Sequence, residues 1–164
     1  MKTWRQTLWA PVALALVWAT GGCDRPPQAG GGEGADARSP VNERGSVQIT
    51  ARLEPIPEGA IFQRELYDYA AILKYEVLSV QRGSVTNRYL YVGHYNPWKP
   101  RAEAADHRVK NVGGTLRRFV AGEVHRLALE MPLEDQYMGG IVDKYFGQDT
   151  GVQYWAVWTE PARD

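Results

Sequence analysis

A single cysteine among 164 residues excludes an intramolecular disulfide and every zinc motif built on paired thiolates. Histidine is nearly as scarce, and His94, His107 and His125 show no ligand spacing, so neither a metal nor a cofactor is expected. The sequence has no G-x-x-x-x-G-K-[ST] phosphate loop, no G-x-G-x-x-G turn and no G-x-S-x-G nucleophile elbow. Ser84 and Thr86 occupy a turn-rich stretch with no base in view. Asp106 adjoins His107, but neighbours on a helix point apart. The expectation is a protein without catalysis, with a small hydrolase as the remote alternative. Net charge is missing too: 19 basic residues balance 19 acidic ones, which gives no bulk attraction to nucleic acid. Finally, the apolar run from Leu8 to Ala19 is too short to span a bilayer comfortably.

That short run, preceded by Lys2 and Arg5, has the form of a signal peptide covering residues 1–22. Ala19-Thr20-Gly21-Gly22-Cys23 resembles the lipobox of bacterial lipoproteins, with Thr20 where leucine is usual. The resemblance implies acylation of Cys23 and a lipid anchor in a membrane, and several acyl chains would hold where one binds only marginally. Asp24 implies retention on the periplasmic face of the inner membrane of a Gram-negative envelope. Residues 23–45 carry Pro26-Pro27 and Gly30, Gly31, Gly32 and Gly34 among small and charged residues, and read as a flexible tether of about 25 Å reach. Without Lys2 and Arg5 the mature chain holds 17 basic against 19 acidic groups. Their distribution is uneven. Lys99, Arg101, Arg108, Lys110, Arg117 and Arg118 cluster against Glu103 and Asp106, while the charged residues of 123–160 are mostly acidic.

Residues 46–161 make one domain. Val47, Ile49, Ala51 and Leu53 alternate with polar residues, the period of a strand with one buried face. Pro55 and Pro57 end it. Residues 58–69 form a packed connection. Ile72–Val80 and Tyr89–Tyr95 read as a hairpin around the turn residues of 81–87, with a phase change near Val77 that one bulged residue would produce. Gly93 leaves space for a ring to lie flat. Alanines and the Glu103/His107 and Asp106/Lys110 spacings predict a short helix over 101–110, ended by Gly113-Gly114. A brief strand over 115–120, a strand over 124–130, a long loop over 133–151 and a closing strand at Tyr154–Trp158 follow.

The chain is therefore expected to be mainly β: a small five-stranded OB-like barrel with one short helix between strands three and four. LKYEVLSVQRG, YLYVGHY and FVAGEVHRLALE resemble netrin-like and tissue-inhibitor-like barrels, which share that fold. Protease inhibition in that group needs a free amino-terminal cysteine on the domain, so the resemblance implies the fold and not the inhibition. A fainter resemblance, to small lipoproteins associated with O-acetylation of extracellular polysaccharide, suggests a class of partner.

The binding residues nominated from the sequence are Trp98, Lys99, Arg101, Tyr95, His94, Arg117 and Arg118. Trp98 stands between prolines in a rigid loop beside basic neighbours, suited to stacking on a ring while the cations hold an anion. Tyr89 and Tyr91 are expected to pack as cross-strand pairs rather than bind. The function expected is a membrane-anchored binding module for an anionic polysaccharide or an envelope protein. The alternative is an accessory or assembly subunit of a polysaccharide-modifying complex.

Overall fold

The computed structural model describes residues 39–62 and 67–163. Cys23 and most of the tether lie outside the described residues, as does Leu66. The sheet is built from β1 (Val47–Leu53), β2 (Ala70–Arg82), β3 (Tyr89–Tyr95), β4 (Gly113–Gly114), β5 (Val124–Glu130), β6 (Ile141–Val142) and β7 (Tyr154–Pro161). The order β1-β5-β7-β3-β2 closes through an additional β1–β2 pairing, giving a five-stranded barrel with the strand order of an OB fold. Among the five barrel strands all neighbours are antiparallel except β3 and β7, which run parallel through Val92–Tyr154 and Gly93–Trp155.

β2 makes closure possible. Its first half pairs with β3 and its second half with β1. In the β1 register Thr50 faces Ser79 but Ala51 faces Val77, so Leu78 is the extra residue, one position from where the sequence predicts a bulge. A second shift leaves Gln81 unpaired between Val80 and Arg82. Two such extra residues bend the strand and steepen its twist, which carries it from one side of the barrel to the next.

Burial follows the two-residue period. Ile49, Ala51, Leu53, Leu73, Tyr75, Leu90, Val92, Leu127 and Leu129 fill the barrel with Leu116 and Phe119. A second apolar layer covers the outside of β3 and β7, where Ile72, Tyr95, Ala128, Trp155 and Val157 pack against Val41, Ala104, Val112 and Leu133. Gly93 permits this overlay: a Cβ there would overlap Leu133 Cδ1 and stand 3.2 Å from Trp155 Cε3. Val41 is completely buried, so the packed part begins before Ser46, inside the stretch read as tether.

Two expected elements differ. Of the helix expected over 101–110 only Arg101–Glu103 is helical, as a single 3-10 turn, and no α-helix occurs among the described residues. The reason is Asp106. Its carboxylate accepts from the backbone N–H of Arg108 and Val109, and its own N–H donates to Val109 O, a local turn that competes with helical bonding. The expected strand over 115–120 is irregular. Its place beside β7 is taken by Gly113–Gly114, because a side chain at Gly114 would drive into Thr159 O.

Candidate functional site

The Trp98 loop is held by one buried side chain. Arg101, only 3% exposed, donates through its guanidinium to Tyr95 O at 2.7 Å, to Lys99 O at 3.1 Å and to Asn96 O, while its backbone N–H bonds Leu116 O at 2.9 Å. Burial pulls this arginine down to about 10. Arg101 is thus a clamp for the loop and not the surface cation its neighbours suggested. Trp98 is half-buried, with Lys99 Nζ 4.5 Å from its ring, and Lys99 also approaches Asp68 at 3.4 Å. The nominated ring already holds an ammonium group. Tyr95 faces the outer layer, and its hydroxyl donates to Asp106 Oδ2 at 2.6 Å. Burial opposes charge on Asp106, yet this bond and the two backbone N–H groups outweigh it and draw the carboxyl down to about 2.

His94 points inward. Its Nε2 lies 3.2 Å from Tyr75 Oη, which lies 3.3 Å from His125 Nδ1, and His125 Nε2 is 3.6 Å from Glu123 Oε2. Tyr75, His94 and His125 have no exposed surface. Burial, then the Arg101 charge and then His125, push His94 well below the usual imidazole range, and burial lowers His125 despite Glu123. Phe119 covers this chain, its ring centre 4.6 Å from His94, 6.0 Å from His125 and 5.2 Å from the Arg101 guanidinium. Ligand spacing alone does not reveal that two of the three histidines meet. The signal was their phase: Tyr75, His94 and His125 share faces with Leu73, Leu90 and Val92, and Leu127 and Leu129, all of which turn inward.

Arg117 and Arg118 are exposed and line an open cleft of about 540 Å³ with Leu116, Glu123, Val124 and Pro161. A larger cleft, about 660 Å³, lies against the outer layer. Arg44, Arg108 and Lys110 surround Trp155 and Val157 there, with Glu130 the only acid in its wall. Ser46 Oγ donates to that glutamate at 2.6 Å, and Arg44 also sits 4.9 Å from the Trp158 ring. Arg44 was overlooked because it falls in the stretch read as tether.

Tyr89 and Tyr91 are half-buried on the outside of β3. Lys74 Nζ stands 4.3 Å from the Tyr89 ring, and Tyr145 packs edge-on to Tyr91 at 5.0 Å. Among the described residues no cluster of three or more His, Cys, Asp or Glu could hold a metal ion.

These features define a closed OB-like barrel with a buried polar chain at one end and a cation-lined cleft on its outer layer. No family model matches the chain, and neither a curated protein nor a solved structure matches it.

Proposed function

We propose that this is a lipid-anchored protein of the bacterial envelope, held through Cys23 on the periplasmic face of a membrane, whose barrel binds an anionic glycan without catalysis. The supporting observation is the larger cleft, whose wall carries Arg44, Arg108 and Lys110, with Arg108 also paired to Asp68 at 2.8 Å. A uronic acid chain offers one carboxylate per sugar, which guanidinium forks and an ammonium group complement.

Calorimetry on the full chain in detergent, with a polyuronate and a neutral glucan at low and moderate salt, tests this. Polyuronate binding should weaken with salt. Arg44→Glu with Lys110→Glu should cost at least about tenfold, or roughly 1.4 kcal/mol. The neutral glucan should give no heat. Undiminished binding by the double variant would remove the cleft from the reading.

A second reading, an accessory subunit of a polysaccharide-modifying complex, is favoured by apolar side chains that project into solvent. Met138 is 96% and Phe146 89% exposed, with Ile141 between them in sequence. Such side chains suit a protein partner. Crosslinking in cells that depends on Met138 and Phe146, with no response to soluble glycans, would favour that role.

A further inference from the structure

We propose that the Phe119 end of the barrel is a binding site for a small organic monocarboxylate, with Phe119 as a movable plug and Arg101 and His94 as the groups that receive the anion. The site shares no lining residue with the outer glycan cleft. Two buried polar atoms on side chains that flank one ring point to it. Arg101 Nε and His94 Nδ1 lack a hydrogen-bond partner, and both side chains approach Phe119, as does His125, whose Nε2 faces Glu123 at 3.6 Å. Arg101 is a buried cation that bonds only carbonyl oxygens; no carboxylate among the described residues pairs with it. A buried charge without a counter-ion is costly, and a matching anion relieves that cost. The route inward is short. Arg117 and Arg118 lie between Leu116 and Phe119 in sequence and line the smaller cleft, whose Glu123 reaches to 3.6 Å from His125.

The proton inventory selects the ligand. Tyr75 has one hydroxyl proton and two imidazole neighbours, so it donates to one and accepts from the other. With the site empty, Glu123 favours His125 carrying its proton on Nε2. Tyr75 then donates to His125 Nδ1, His94 Nε2–H donates to Tyr75, and His94 Nδ1 is a bare acceptor. An anion at Phe119 needs His94 Nδ1–H beside Arg101 Nε–H. The hydroxyl proton then turns toward His94 Nε2, and His125 Nδ1–H donates to Tyr75. His125 Nε2 would be bare before Glu123, a conflict removed by taking one proton from solvent. The result pairs the carboxylate with Arg101 and imidazolium His125 with Glu123. A dianion such as phosphate would leave a surplus buried charge.

The test is acetate titration of the full chain in detergent at constant ionic strength, with inorganic phosphate in parallel, read by the nitrogen resonances of His94 and His125. Acetate should move both histidines saturably, and calorimetry in two buffers of different ionisation enthalpy should show uptake of about one proton per acetate. Phe119→Ala, which opens the plug, should bind acetate about tenfold more tightly. Unmoved imidazole resonances in the wild-type protein would overturn the proposal, as would binding without proton uptake. An equal response to phosphate would overturn the carboxylate assignment, and unchanged affinity in a folded Phe119→Ala protein would overturn the plug. Because none of these readouts involves Arg44, Arg108 or Lys110, failure here leaves the glycan reading standing, and the reverse.

Discussion

The barrel's interior and the layer on its outside are both aromatic, yet they treat polar atoms differently. Outside, Tyr95 Oη reaches Asp106, Trp158 Nε1 donates to Glu160 Oε2 at 3.1 Å, and Tyr137 stacks on Trp155 at 5.0 Å with its ring nearly parallel. Inside, Tyr75 bridges two histidines whose outer nitrogens have no hydrogen-bond partner, beside a cation without a carboxylate. The outer layer lies near the surface, where rings can stay apolar while their tips meet carboxylates. The closed barrel has no such edge. Polar groups kept there in spite of that cost are the place to look for chemistry rather than packing.

The largest effect that would sharpen this contrast comes from the outside. Trp155→Ala removes the floor of the outer layer and should cost about 3–5 kcal/mol in denaturant unfolding; a loss below about 1 kcal/mol would mean the layer adds little to the barrel. Next is the inside. Tyr75→Phe leaves two imidazole nitrogens without their hydroxyl and should cost about 1–3 kcal/mol. If it proves neutral, the interior is simply apolar packing with histidines in it.

Acid separates the two regions further. His94 and His125 have folded-state values below the ordinary imidazole value, so the unfolded chain binds more protons below about pH 6.5. The stability they hold is complete above that pH and is lost as pH falls, at up to about 1.4 kcal/mol per pH unit for each histidine. A flat melting temperature between pH 7 and 5 would contradict this. Asp106, whose carboxyl is lowered to about 2, acts later: its contribution is present above about pH 4 and fades toward pH 2. The smallest expected effect is therefore Tyr95→Phe, which should lose about 1–2 kcal/mol at neutral pH and soften only the low-pH limb.

The strands were legible because a half-buried sheet imposes its two-residue period on the sequence, as Val47–Leu53 and Val124–Glu130 show. The helix over 101–110 was misread because one carboxylate, Asp106, can capture two backbone N–H groups, which spacing alone does not reveal. The nominated residues do not share one arrangement. Trp98, Lys99, Arg117 and Arg118 reach the surface to differing extents, whereas His94, Tyr95 and Arg101 turn into the packing. Which way a basic residue next to a turn faces depends on carbonyls gathered from Tyr95 to Lys99, and that is a property of the folded loop.

The position of β7 has a consequence for how the molecule comes into being. It lies between β5 and β3 and also holds β4, so the last strand in the order is the one that seals the wall. Until Tyr154–Pro161 is available, β3 and β5 have no partner on their facing edges, and the chain remains an open ribbon. Closure by so distant a segment is slow compared with local pairing. A polypeptide built this way commits to its closed wall only when its last strand is in place.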